Sequence, residues 1–210
     1  MEITAQLVKQ LRDKTGAGMM ECKAALKEAE GHIENAEVIL RKKGIASATK
    51  KSSRTTKQGV IGTYIHPGAQ LGVLIEVNCE SDFVARTEDF QELVHDLAMQ
   101  VAAADPQFVR KEEVTEAALA KEREIQRARA INEGKPEKMA DKIVEGRMNK
   151  YFEEVCLYEQ PFIKENTTTV SDLIKSKIAK MGENITVSRF VRFKVGDAAT
   201  ADIPETPAAE

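Results

Sequence analysis

Covalent or metal chemistry in this chain would have to fall on His32, His66, His95, Cys22, Cys79 and Cys156. Imidazoles and thiols are the side chains that relay protons, attack electrophiles or hold zinc near neutral pH. Their spacing supports none of these roles. No two cysteines form a C-x-x-C pair, no histidines stand at zinc-ligand spacing, and no acid is placed to complete a triad. No G-x-x-x-x-G-K-[ST] or G-x-G-x-x-G loop is present; the glycines of Thr15-Gly16-Ala17-Gly18 lie between helical runs instead of after a strand. The chain is therefore expected not to be an enzyme and to use no cofactor and no metal. Its cysteines are expected to be reduced and mostly buried, and His95 to be a partly buried structural imidazole.

What is left is the chemistry of binding, and two segments carry it. In Leu11-Arg12-Asp13-Lys14-Thr15-Gly16-Ala17-Gly18-Met19-Met20-Glu21-Cys22-Lys23, two methionines follow a glycine turn at the start of a helix. Adjacent helical residues point about 100° apart, so both cannot enter a small core, and at least one should be exposed for a partner. Internal gap-filling by the two thioethers is the competing reading. In Glu76-Val77-Asn78-Cys79-Glu80-Ser81-Asp82-Phe83-Val84-Ala85-Arg86, a strand ends in a turn that projects an acid beside an aromatic. Here the plain alternative is that Ser81 caps a helical turn and Phe83 belongs to the core.

The elements that must position these segments can be read from period and punctuation. Leu7, Val8 and Leu11 recur at helical spacing after Thr4, a helix from Met19 to Glu30 ends at Gly31, and a third runs from Ile33 to Gly44. From Val60 the pattern changes to short β-branched runs: Val60–Ile65 and Leu71–Val77 flank Pro67-Gly68 and predict a hairpin, with a third strand at Val187–Val195. The second strand is apolar on both faces, so the sheet needs two covers. One is the helix after Thr87, whose Phe90, Leu93, Val94, Leu97, Ala98, Val101 and Ala102 form a single stripe. Two charged helices, Thr115–Glu133 and Glu137–Glu154, join across Gly134-Lys135-Pro136. Their thin seam (Leu119, Ile125, Ala128, Ile131; Met139, Ile143, Met148) predicts a protruding hairpin. A last helix is expected over Ser171–Lys180.

The fold class is thus α+β: an N-terminal three-helix, ubiquitin-associated-like module, then a small antiparallel sheet flanked by helices. In segments, 1–45 is the module, 46–57 a basic linker, and 58–195 the core with its hairpin at 112–154. Residues 196–210, rich in Ala, Pro, Thr and acids, are expected to be a disordered tail. With 31% charged residues and no unbroken apolar run of the roughly 18 to 20 residues that span a bilayer, the chain is expected in the cytoplasm, away from membranes. A formal net charge of −3 gives it no general field for nucleic acid. Arg41, Lys42, Lys43, Lys50, Lys51, Arg54 and Lys57 do form a run without an acid, which suits a solvated helix end and linker or a contact with RNA. No aromatic is interleaved with them to stack on bases.

Together the Leu11–Leu26 and Glu76–Arg86 segments closely resemble the two signature motifs of bacterial elongation factor Ts, the family of guanine-nucleotide exchange factors for elongation factor Tu. The likeness extends over Val144-Glu145-Gly146-Arg147-Met148, Gln160-Pro161-Phe162 and the closing strand. Ser81 stands where the family usually has threonine, and Ala24 where a second long polar residue commonly follows Lys23. Longer members carry two related sheet subdomains; this chain has one hairpin, which resembles short members.

The resemblance implies a partner, elongation factor Tu, and a mechanism without chemistry of its own. The Asp82-Phe83 turn, with Val84 behind it, would insert between helices of the partner's nucleotide domain and disturb its magnesium site. Arg12, Met19, Met20 and Lys23 would grip the same domain, and His66 would press near the phosphate loop. No nucleic acid is required. The uncovered sheet face and the likeness to short members imply a homodimer through that face. The competing expectations are an adaptor that binds a small β-rich partner regardless of nucleotide, an RNA-binding protein using Arg41 to Lys57, and, least supported, an enzyme.

Overall fold

The computed structural model describes residues 3–197, so most of the expected tail lies outside the described residues. The chain opens with α1 (Ala5–Thr15), α2 (Met19–Glu28) and α3 (Ile33–Lys51). Thr4 caps α1 by accepting the Leu7 N–H at 3.3 Å, and Gly16 ends it in the left-handed conformation (φ 68°), donating its N–H to Arg12 at 2.7 Å. Val8, Leu11, Cys22, Ala25, Leu26, Ala29 and Ala36 close the small core of this module. Gly31 closes α2 by donating its N–H to Leu26 at 2.8 Å, with the helix itself ending at Glu28, two residues before the expected Glu30.

The third helix does not stop at Gly44. It continues to Lys51, so half of the stretch expected as linker is helical. Packing against α8 (Val170–Met181) explains the extension. Gly44 lets the helix come so close that an added Cβ would lie 3.1 Å from the Ala179 Cβ, and Ala48 is buried in the core of the sheet domain. A helix that gains tertiary partners outlasts its own propensity.

β1 (Gln58–Ile65), β2 (Leu71–Cys79) and β5 (Ile185–Lys194) form the antiparallel sheet in the order β1-β2-β5. Val73, Ile75 and Val77 point to the inner face, where α5 (Glu88–Ala104) lays Phe90, Leu93, Val94, Leu97 and Val101 on them. The approach is tight at Gly62: a Cβ there would sit 2.2 Å from Val94 Cγ1, so the helix can cross β1 only where the strand has no side chain. α8 completes the layer with Val170, Ile174 and Ile178. An α+β architecture with one small sheet is what the residue patterns predict.

α6 (Glu116–Asn132) and α7 (Glu137–Val155) form the hairpin. Its seam differs from the expected one. Leu119, Ala130, Val144, Met148 and Val155 are buried, whereas Ile125, Ile131 and Met139 are exposed, because the interhelical stripe runs through the neighbouring 119–122–126–130 positions. Two short strands the patterns do not indicate, β3 (Pro161–Phe162) and β4 (Glu165–Thr169), follow. Buried amides anchor this region: Gln100 donates to Gln160 at 3.1 Å and to the Pro161 carbonyl at 3.2 Å, and accepts from Ile163 N–H at 2.8 Å. A buried amide with all its hydrogen bonds made fixes one arrangement of the elements that share it.

Candidate functional site

β2 ends at Cys79, and two residues later the chain makes a single helical turn, α4 (Asp82–Ala85). Ser81 is its N-cap, in extended conformation, with its Oγ accepting the Val84 N–H at 3.4 Å. Ala85 is buried and Val84 half-buried against the core, so one side of this turn is anchored. The opposite side carries Phe83, which is 79% exposed, more than any other large apolar side chain among the described residues. The reading of Phe83 as core is thereby excluded; Phe90, seven residues on, fills that role at 0% exposure. Asp82 is half-exposed and accepts a hydrogen bond from Arg86 at 2.8 Å.

Side chains of Thr87, Gln91 and Cys79 hold carbonyls of this turn. Thr87 Oγ1 donates to the Val84 carbonyl at 2.8 Å while capping α5 through the Phe90 N–H, and Gln91 Nε2 donates to the Ala85 carbonyl at 2.6 Å. Cys79, whose thiol burial pushes up from its ordinary range, donates to the Ser81 carbonyl at 3.1 Å. A benzyl group on a turn so anchored costs little backbone ordering entropy when it docks.

The second segment lies at the α1–α2 turn. Cys22, Ala25 and Leu26 face inward, which leaves Met19 (46% exposed), Met20 (76%) and Lys23 outward on the first turns of α2. Lys23 is one helical turn from both methionines, so the three share a face. Arg12 is exposed in the last turn of α1, beside the same glycine turn, and Glu21 fixes the start of α2 by accepting the Gly18 N–H at 3.2 Å. Both methionines, not one, are available to a partner.

His66 stands apart from these groups. It is exposed at the start of the β1–β2 turn, its Nδ1 3.1 Å from the Tyr64 hydroxyl. Ile65 pairs with Gly72, whereas Gln58, at the far end of β1, pairs with Cys79. His66 is therefore separated from the Asp82-Phe83 turn by the length of the strand, roughly 23 Å at about 3.3 Å per residue. His95 is exposed, not partly buried, and meets the Tyr64 ring edge-on at 5.7 Å between centroids. The apolar stripe of α5 turns it to the flank of the helix.

All three cysteines are free and buried, with burial pushing the Cys156 thiol up to about 11. No group of three or more His, Cys, Asp or Glu among the described residues could hold a metal ion, and no described helix is long and apolar enough to cross a membrane. The basic run from Arg41 lies along the second half of α3 and the turn and irregular segment 52–57 after it, with Lys43 paired to Glu28 at 2.6 Å.

The outer face of the sheet carries Ile61, Ile65, Leu74, Val191 and Phe193, all exposed, with Val195 beyond the strand end. Polar residues share that face: Thr63 beside Leu74, Asn78 opposite Thr186, and Glu76 bonded to Arg189 at 2.8 Å. Sequence patterns locate Asp82, Phe83, Met19 and Met20. They do not single out Glu183, whose side chain reaches the backbone of Glu80 and Ser81 from across the chain. A carboxylate after a helix-ending glycine is too common to carry such a signal.

Comparison with known proteins places this architecture. A family model described as elongation factor TS matches residues 3–198. A protein of Solibacter usitatus (strain Ellin6076) is 71% identical over 210 residues, covering 100% of this chain and 99% of its own length. One from Koribacter versatilis (strain Ellin345) is 62% identical over 197 residues, covering 94% and 90%. One from Thermosipho melanesiensis (strain DSM 12029) is 57% identical over 195 residues, covering 93% and 100%. Each of these relatives bears the name elongation factor Ts.

Proposed function

The chain belongs to the elongation factor Ts family, and from that premise we propose that it is a non-enzymatic, cytoplasmic guanine-nucleotide exchange factor that acts on elongation factor Tu during translation elongation. The observation that carries the mechanism is Phe83 standing 79% exposed on a turn capped by Ser81 and anchored by hydrogen bonds from Thr87 and Gln91. An aromatic so placed gains nothing inside its own chain. Buried in a partner, it contributes about 1.5 to 3 kcal/mol.

In a GTP-binding partner, backbone N–H groups cradle the phosphates and Mg²⁺ bridges them to side chains and water. A rigid ring inserted between helices of that domain shifts them, and the ion site loses its geometry. Asp82 supplies a charged hydrogen bond that sets the depth of insertion. Arg12, Met19, Met20 and Lys23 give the complex its affinity through a separate surface, with Val84 lining the root of the wedge. His66 acts, on this reading, at a third place on the partner, since it lies a strand's length from Phe83.

Coupling between the two ligands of the partner is reciprocal. If this protein weakens GDP a thousandfold, about 4 kcal/mol, then GDP weakens this protein by the same factor. The nucleotide-free complex should be tight, and added GDP should split it. Following release of labelled GDP from elongation factor Tu tests the reading: acceleration that saturates with added protein is expected, and no acceleration overturns it. Binding that ignores GDP would instead favour an adaptor.

The same reading includes a homodimer through the outer sheet face. Ile61, Ile65, Leu74, Val191 and Phe193 are exposed on one face, without cover from the described residues of their own chain. Monomeric proteins seldom leave such a patch in water, and a twofold-related copy offers a surface of matching chemistry.

A further inference from the structure

Glu183 and Asn184, in the turn between α8 and β5, make a set of hydrogen bonds that no packing requirement of that turn explains. Glu183 Oε2 accepts the backbone N–H groups of Glu80 at 3.2 Å and Ser81 at 2.9 Å, and its Oε1 accepts the Ser81 hydroxyl at 2.6 Å. The relationship is reciprocal: Glu80 Oε1 accepts the Asn184 N–H at 2.6 Å. The Asn184 side chain, 1% exposed, donates to the carbonyls of Ser52 at 3.3 Å and Arg54 at 2.8 Å, just after α3. Arg54 in turn reaches Glu80 Oε1 at 3.4 Å.

Three separate stretches of chain therefore meet at one polar junction: the end of α3, the approach to the Asp82-Phe83 turn, and the α8–β5 turn. The Ser81 hydroxyl is the pivot. By giving its proton to Glu183 it is oriented so that a lone pair faces the Val84 N–H, which starts the helical turn bearing Phe83. Phe83 itself has almost no packing, so its direction is set by that backbone alone. The N–H groups of Glu80 and Ser81 could be satisfied by water at this half-exposed site; a carboxylate that takes both and the hydroxyl supplies direction, not mere satisfaction.

We propose that Glu183 and Asn184 are positioning residues of the exchange mechanism: they fix the angle at which Phe83 is presented and tie it to α3, so that the helical module and the wedge engage the partner as one rigid unit. This rests on the exchange reading of Phe83. A wedge transmits force only as far as its base resists, and loosening the base should lower the maximal rate of GDP release while leaving module-driven binding largely intact.

The test is a double-mutant cycle on GDP release from elongation factor Tu, using the full chain, with Phe83→Ala, Glu183→Ala, Glu183→Gln and the two combinations with Phe83→Ala. Glu183→Ala is expected to reduce the saturating release rate about tenfold and to change half-saturation less than about threefold. Glu183→Gln keeps an oxygen for the two N–H groups but loses the acceptor of the Ser81 hydroxyl, and is expected to lower the rate about threefold. In the Phe83→Ala background neither change should cost anything further, because a base without a wedge has nothing to aim. Costs that simply add, or a Glu183→Ala rate equal to wild type, overturn the positioning role. If Glu183→Ala does not fold, as circular dichroism at the assay temperature would show, the Glu183→Gln pair decides: a loss that persists without Phe83 overturns it. A Phe83→Ala rate equal to wild type sinks the exchange reading itself and is a different failure.

Discussion

Arg86 donates a hydrogen bond to the Asp82 carboxylate at 2.8 Å, one helical turn away, on a turn whose exposed Phe83 points in another direction, about 100° round from Asp82. The carboxylate beside Phe83 is thus already hydrogen-bonded within the protein itself. Both side chains are largely exposed, so the pair adds little to stability, typically a few tenths of a kcal/mol for such helical spacing.

Replacing Phe83 by alanine removes a ring that touches little of its own chain. Unfolding stability should change by less than about 0.5 kcal/mol. GDP release from elongation factor Tu should slow at least tenfold, read by the fluorescence of labelled nucleotide. An equal release rate in a folded variant is the result that counts against the wedge.

Lys23 lies outward on the face it shares with Met19 and Met20, and its reversal to glutamate should act on binding instead of release. Titration of the nucleotide-free partner should show affinity weakened about tenfold, equivalent to about 1.4 kcal/mol. The saturating release rate should stay within about twofold. A variant that binds normally would remove the α1–α2 turn from the contact.

Phe193 is 66% exposed on the outer sheet face, near the end of the edge strand β5. Its change to aspartate should convert a dimer into a monomer in sedimentation equilibrium at micromolar concentration, with the monomer still folded, because an exposed substitution seldom costs more than about 0.5 kcal/mol in the isolated chain. A wild-type protein that sediments as a monomer under the same conditions would leave that face without its proposed cover.

The buried Cys156 thiol is held up to about 11 by desolvation, with Glu159 adding to it, against its ordinary 9.0. The folded state therefore keeps its proton where the unfolded chain loses it. Stability from this group is intact below pH 9.0 and falls between there and about 11. The loss should be up to about 2 to 3 kcal/mol. Urea unfolding across that range should show the decline, and Cys156→Ala should flatten it. In native protein near neutral pH, thiol reagents should find none of the three cysteines, all of which are buried.

Much of this protein was written in local signals. Thr4, Thr87 and Thr115 announce helix starts, and each accepts the N–H three residues on. Gly16 and Gly31 end helices through left-handed geometry that other residues resist. The stripe on α5 follows from its period and the two strands from the β-branched runs around Pro67-Gly68, while the two motifs were legible as residue strings that resemble the elongation factor Ts family. These features depend on neighbours within a few residues, so the order of the residues suffices.

Tertiary structure decided the rest, because it depends on which surfaces happen to meet. α3 runs past Gly44 because α8 is there to receive it. Phe83 and Phe90 have the same side chain and opposite fates, set by the single turn between them. On β5, the ladder skips Ser188: Glu76 pairs with Arg189 but Val77 with Val187. That bulge reverses the alternation, so Ile185, Val187 and Phe190 turn inward while Val191 and Phe193 turn out to form the uncovered face. The strand's residues fix that it is apolar; only its pairing with β2 fixes which of them meet water.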